Sequence, residues 1–205
     1  MNYRKIKRFI DILFSIILLT LGCIPLLIVA IVIKLESKGP ALFKQKRLGL
    51  NGKEFEIYKF RSMVVGAEKT GSGVYSMKGD PRVTRVGKII RATSIDELPQ
   101  LINILKGDMS FIGPRPTLTY HPWKLEEYTE EQRKRFNMRP GVTGLAQVNG
   151  RKELSWNERI EYDVFYIENL SFILDFKILL KTIQKVILMK DNVNVSETRS
   201  KVENI

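Results

Sequence analysis

The hydrophobic pattern divides the chain sharply. Residues 12–33 carry no charge, a run of 22 positions bounded by Asp11 and Lys34. At about 1.5 Å per residue a helix of that length matches the hydrocarbon core of a bilayer. Beyond it the pattern changes to alternation. Residues 40–63 predict two extended segments around Asn51-Gly52, a pair suited to a tight hairpin turn. On the second segment Phe55, Ile57, Lys59 and Arg61 share one face, and Glu54, Glu56, Tyr58 and Phe60 the other. Residues 66–80 hold four glycines and little periodicity, which predicts a loop. Helical spacing returns over 86–105 with a break near Pro99, over 126–136 as a charged helix, and over 156–189 in at least two pieces. Residues 139–150 read as a loop punctuated by glycine. In the last helix Lys177, Lys181 and Lys185 form one basic stripe among apolar residues, a pattern that lies in a membrane interface with lysines reaching the phosphates.

The apolar run allows two topologies. Its length fits a spanning anchor. Pro25, however, frees the carbonyl of Leu21, and an unsatisfied carbonyl in hydrocarbon is costly. Basic residues stand on both sides: Arg4, Lys5, Lys7 and Arg8 before it, Lys34 and Lys38 after it. Such symmetry sets no orientation by the positive-inside rule, and it suits a helix that enters, bends near Pro25 and returns. Sequence alone leaves both topologies open. A cleaved leader needs a small-residue site near its end, and none is convincing here, so no leader is expected.

Charge changes the picture next. The 205 residues hold 34 Lys and Arg against 22 acids, a net +12. Residues 1–61 contribute 12 basic and 4 acidic side chains, so +8 of that total sits around the apolar run. An anionic partner follows: nucleic acid, acidic lipid or a phosphorylated small molecule. A single cysteine, Cys23, excludes a disulfide framework and a Cys-based zinc site. A single histidine, His121, excludes a multi-histidine metal centre, and it sits in a loop without an obvious partner. P-loop, dinucleotide-binding and zincin signatures are absent, as is an Asp-x-Asp pair.

Two features stand out, although each taken alone also has an ordinary structural reading, a helix cap for the first and a rigid turn for the second. Asp96-Glu97 is an acidic pair set among Arg82, Arg85, Lys88, Arg91, Lys106 and Arg115. Ser94 through Glu97 spells a capping box; alternatively a helix starts at Pro99, with the acids just before it. Either arrangement puts two carboxylates at the positive mouth of a helix, where the dipole and the cations predict an ionised Asp96. Pro114-Arg115-Pro116 is the second feature. Two fixed φ angles preorganise one guanidinium, which suits bidentate phosphate recognition. A basic module binding nucleic acid without catalysis explains neither.

These residues carry a resemblance. The segments 57–61 (IYKFR), 87–101 (with SIDELPQL), 106–116 (KGDMSFIGPRP) and 139–150 (RPGVTGLAQVNG) are similar to the bacterial sugar transferases, the small monotopic phosphoglycosyl transferases. The resemblance implies an α+β, mostly α fold: a re-entrant membrane helix over 1–38, a catalytic domain over 39–190 with a small β-hairpin and interfacial amphipathic helices, and a tail over 191–205. It implies transfer of a sugar 1-phosphate from a UDP-sugar to undecaprenyl phosphate with release of UMP, at the cytoplasmic face of a bacterial inner membrane. It implies Asp96 as the covalent nucleophile and a ligand of Mg²⁺, with Glu97 as the second essential carboxylate. Lys59, Arg91 and Arg115 match basic positions around the site, and Arg139 opens a loop expected near the nucleotide. Lipids and the two substrates are the implied partners, with no nucleic acid. The stretch from Tyr162 to Phe172 resembles enzymes that use UDP-N,N′-diacetylbacillosamine, while UDP-GalNAc, UDP-GlcNAc and UDP-galactose stay open as donors. Family members often place serine before the proline of the re-entrant helix; here the pair is Ile24-Pro25.

Overall fold

The computed structural model describes residues 3–71, 73, 76, 79–150 and 154–188. The expected tail over 191–205 lies outside them. Helix α1 (Tyr3–Glu36) is one 34-residue helix with Pro25 inside it. Strands β1 (Leu42–Leu48) and β2 (Glu54–Phe60) follow as an antiparallel hairpin, in register from Leu42 opposite Phe60 to Leu48 opposite Glu54. Asn51 sits at its tip with φ of 55°, inside a 3-10 turn over Leu50–Gly52. The hairpin is therefore as expected, with a wider tip than a two-residue turn.

Helices α2 (Arg85–Ala92) and α3 (Gln100–Lys106) flank the acidic pair. Strand β3 (Ser110–Ile112) pairs in parallel with β4 (Gly141–Thr143), placing Ser110 beside Gly141 and Ile112 beside Thr143. Between them the charged stretch forms a 3-10 turn at Leu125–Glu127, helix α4 (Glu130–Arg133) and a second 3-10 turn at Lys134–Phe136. The single helix expected over 126–136 is thus broken. Thr129 caps a fresh helix start there, its hydroxyl accepting from Gln132 N while the Gln132 side chain returns to Thr129 N. The expected loop over 139–150 is likewise replaced by β4 and helix α5 (Leu145–Asn149). Its glycines serve packing: a Cβ on Gly141 or Gly144 would collide with the Gly113 backbone, so both permit the close crossing of the two strands. Helices α6 (Trp156–Glu168) and α7 (Phe172–Ile187) complete the chain in two pieces, as the spacing predicts.

Helix α1 is gripped at both ends by the same folded body. Near its start, Tyr3 Oη donates to Asp175 of α7 at 2.6 Å, Lys7 Nζ lies 3.0 Å from that carboxylate, and Arg8 donates to Ile104 O at 2.7 Å. Asp11 accepts from Phe111 N at 3.1 Å. Near its end, Ile33 is buried with Phe60 and Ile90, and Arg61 donates to the carbonyls of Ile33, Ser37 and Lys38. One guanidinium thus ties the last turn of the helix to the two residues just beyond it. Glu36 in turn accepts from Val86 N at the start of α2. Between the two grips the apolar side chains Leu21, Ile24 and Leu27 are exposed. Helix α7 presents a matching apolar surface through Phe172, Ile173, Phe176, Leu180, Ile183 and Ile187. By length and composition α1 is long and apolar enough to cross a membrane.

Candidate active site

The acidic pair lies in a 3-10 turn, Ile95–Glu97, wedged between α2 and α3. Ser94 adopts a left-handed conformation with φ of 57° and makes no side-chain cap. The capping box is therefore not formed. What turns the chain is the end of α2, where Thr93 Oγ1 donates back to Ile89 O at 2.9 Å and Ser94 reverses direction. The alternative reading is the nearer one: α3 starts at Gln100, immediately after Pro99.

Three elements bring cations to this turn. Lys59 comes from β2, and its Nζ lies 2.7 Å from Glu97 Oε1. Arg115 comes from the segment after β3, with Nη2 at 3.4 Å from the same oxygen. Arg91 stands in the last turn of α2, close enough for its charge to act on Asp96. The sequence-derived set Asp96, Glu97, Lys59, Arg91 and Arg115 thus converges. Arg139 is placed elsewhere. Its Nε donates at 2.8 Å to Gly107 O, at the opposite end of α3, where it caps that helix.

Burial raises the pKa of Asp96 from the ordinary aspartate value, and neighbouring Glu97 adds to the rise; Lys59, Arg91 and Arg115 oppose it. The fully ionised Asp96 expected from dipole and cations meets a desolvation cost that outweighs them. Burial also lowers the pKa of Lys59, with Arg115 adding to the effect and Glu97 opposing it. The site is a half-buried lattice of alternating charge, in which each group tunes its neighbour.

The proline-flanked arginine is held from behind. Pro114 O accepts from Gly141 N at 2.9 Å, Arg115 O from Arg135 Nη2 at 3.0 Å, Pro116 O from Arg47 Nη1 at 3.2 Å and Thr117 O from Leu48 N at 2.9 Å. Four consecutive carbonyls are fixed, so the Arg115 guanidinium starts from a rigid base. Arg135 is itself buried against Asp163, at 2.6 Å. Sequence reasoning missed Arg135, Asp163 and Arg47. Their signal is burial of charge, which spacing along the chain does not reveal. His121 is no part of the site: its ring stands edge-on to Trp156 at 5.4 Å.

Comparison with known proteins fits this geometry. The uncharacterized sugar transferase EpsL of Bacillus subtilis is 44% identical over 183 residues, covering 89% of this chain and 88% of that protein. A UDP-glucose:undecaprenyl-phosphate glucose-1-phosphate transferase of Caulobacter vibrioides is 46% identical over 193 residues, covering 91% of this chain and 71% of the relative. A UDP-N-acetylgalactosamine-undecaprenyl-phosphate N-acetylgalactosaminephosphotransferase of Aeromonas hydrophila is 44% identical, covering 90% of this chain and 44% of its own length. The match to the family covers residues 2–189, from the start of the membrane helix to the end of α7, and the chain belongs to the bacterial sugar transferases.

Proposed function

We propose that this chain moves a sugar 1-phosphate from a UDP-sugar to undecaprenyl phosphate, the first membrane step of glycoconjugate assembly. The observation that carries the reading is the Asp96-Glu97 turn with Lys59 and Arg115 within 3.4 Å of Glu97. Phosphoryl transfer needs positioned charge more than elaborate chemistry, and this turn supplies it. A carboxylate oxygen of Asp96 attacks the sugar-bearing phosphorus. The bond from that phosphorus to the bridging oxygen breaks, and UMP leaves with the electron pair. A phosphate oxygen of the polyprenyl phosphate then attacks the same phosphorus and releases Asp96 as carboxylate. Lys59, Arg91 and Arg115 offset the negative charge of both phosphates. Glu97, held by Lys59 and Arg115, keeps those two cations at the reacting end.

The donor set suits a magnesium ion that is shared with substrate. Among the described residues no three His, Cys, Asp or Glu side chains cluster as a self-sufficient cage. Mg²⁺ commonly takes one or two carboxylates plus substrate phosphates, and Asp96 with its neighbour Glu97 offers that number. Asp96 would hold the ion, which when bound supplies charge neutralisation on the diphosphate.

The same reading assigns a topology. Both ends of α1 dock on one folded body, through Lys7 to Asp175 and Ile33 to Phe60, which supports a helix that enters and leaves on the same face. That face is cytoplasmic, where the UDP-sugar is found. The relatives' names span glucose, N-acetylgalactosamine and galactose at 39–46% identity, so overall similarity does not follow the sugar. UDP-N,N′-diacetylbacillosamine is the first donor to try, on the strength of the 162–172 stretch. A panel of UDP-sugars, assayed for UMP release with undecaprenyl phosphate in nanodiscs, tests the reading. UMP release above background for at least one donor is expected, and Asp96→Asn should abolish it. No release from any donor would overturn it.

A further inference from the structure

A cleft of about 290 Å³ opens beside the acidic turn, with Glu97 in its wall. Its chemistry differs from that of the turn. Leu18, Leu98, Leu101, Phe111, Val142 and Val186 give it a largely hydrocarbon lining. Much of the polar side is already paired within the protein. The hydroxyls of Thr143 and Thr182 lie 2.8 Å apart, Thr182 also donates to Ile178 O, and Gln147 Nε2 donates to Val142 O. Polar groups placed in such a cleft would lose water for few partners, at a cost of kilocalories each. A sugar nucleotide, dense in hydroxyls and phosphates, fits it poorly. An alkyl chain fits it well.

The placement of the walls says which chain. Leu18 belongs to the uncharged stretch of α1, and Val186 to the exposed apolar surface of α7. Among the described residues, both helices carry a long run of exposed hydrocarbon side chains. The cleft therefore runs from these two exposed surfaces to Glu97, the chain neighbour of Asp96. At its Glu97 end stand Lys59 and Arg115, which meet a phosphate. At the α7 wall stands Lys185. An apolar channel with cations at its reacting end is complementary to a lipid whose head is a phosphate.

We propose that this cleft receives the first isoprenoid units of the polyprenyl phosphate acceptor, between α1 and α7, and so delivers its phosphate to Asp96 and Glu97. The proposal rests on the transferase reading above and adds the place and shape of the acceptor site. Seating the chain there fixes the depth and direction of the phosphate, which is the entropic part of the second half-reaction.

The test separates the two half-reactions. Leu18 and Val186 are each 43% exposed, so enlarging them narrows the cleft without disturbing the buried core. Leu18→Trp and Val186→Trp should leave UMP release from UDP-sugar without lipid within about twofold of wild type, while KM for undecaprenyl phosphate rises about tenfold or more. A diazirine-bearing polyprenyl phosphate should label peptides containing Leu18, Leu98 or Val186 in the wild type, with labelling lost in the variants. An acceptor KM unchanged in both variants would overturn the proposal. So would loss of lipid-independent UMP release with an unchanged acceptor KM, which would give the cleft to the donor sugar. A wild-type enzyme that released no UMP without lipid would count against the two-step reading alone, and the acceptor KM and the labelling would still decide the cleft.

Discussion

Lys7, in the second turn of the membrane helix, lies 3.0 Å from Asp175 on α7, and both side chains are more than nine-tenths buried. Asp175 also accepts from Tyr3 at 2.6 Å and from Tyr166 at 2.6 Å, so one carboxylate joins the start of α1 to α7 and to the centre of the core. Breaking a buried pair from one side strands the other charge, which costs about 3–5 kcal/mol. Asp175→Asn should therefore lower the unfolding midpoint in detergent markedly. Tyr166→Phe removes one hydrogen bond to a charged group and should cost about 1.5–3 kcal/mol. Lys7→Met combined with Asp175→Asn should recover part of the loss, because no charge is then left unpaired and the amide oxygen still accepts from a tyrosine. Thermal unfolding of the four proteins in one detergent checks the order.

The two grips on α1 predict its sidedness. Cysteines introduced near Asn2 and near Ser37, in protein lacking Cys23, should react equally with a membrane-impermeant reagent from the cytoplasmic side. Opposite reactivity would make α1 a spanning anchor. Pro25→Ala restores the hydrogen bond that proline denies to the Leu21 carbonyl, so it should shift a fraction of molecules towards spanning. The interfacial grips of Lys7 and Arg61 set how large that fraction is, since a spanning helix must break one of them.

Why the site was readable and its support was not follows from the residues. Asp96, Glu97 and Arg115 stand out because charge and proline are visible in one dimension. The hairpin was visible because Asn51-Gly52 and the alternation of β2 are local signals. Helices α6 and α7 were visible because helical spacing of apolar residues runs through both. In contrast, β4 is three residues long, and it exists because Gly113 lets the segment at Gly141 approach β3. Nothing local marks a three-residue parallel strand. The same holds for Ser94, where a capping pattern is overridden by a left-handed residue that reverses the chain after α2. Arg135 reads as one more charge in a basic stretch until Asp163, 28 positions on, is seen beside it.

Arg115 links those two levels. Its guanidinium reaches Glu97, and its carbonyl is held by Arg135. Arg115→Lys keeps the charge and loses the planar fork, so turnover should fall at least tenfold with folding intact. Arg135→Lys should act through the same point: it keeps a cation near Asp163 but gives up the fork that bonds Asp163 and the Arg115 carbonyl together. A smaller fall in turnover is expected, and its dependence on Arg115 is the diagnostic. In a double-mutant cycle the two losses should be less than additive. Additive losses would mean that Arg135 serves stability alone.

The pH dependence of the first half-reaction is the most direct probe of Asp96. In the proposed mechanism the nucleophile is the carboxylate, and burial raises its pKa, so the rate of covalent adduct formation should climb with pH and level off above that raised value. Neighbours then move the acid limb in opposite directions. Lys59 favours the charged form, so Lys59→Gln should push the limb to higher pH. Glu97 disfavours it, so Glu97→Gln should bring the limb to lower pH, even where turnover with lipid is lost. The measurement is single-turnover labelling with radiolabelled UDP-sugar and no lipid, quenched at a series of pH values, with the adduct mapped to the Asp96 peptide by mass spectrometry. Asp96→Asn should give no adduct at any pH. If both neighbouring variants moved the limb the same way, the titrating group would not be Asp96. An adduct that failed to form in the wild type at any pH, while UMP release required the polyprenyl phosphate, would establish direct transfer and leave Asp96 as a metal ligand or a base.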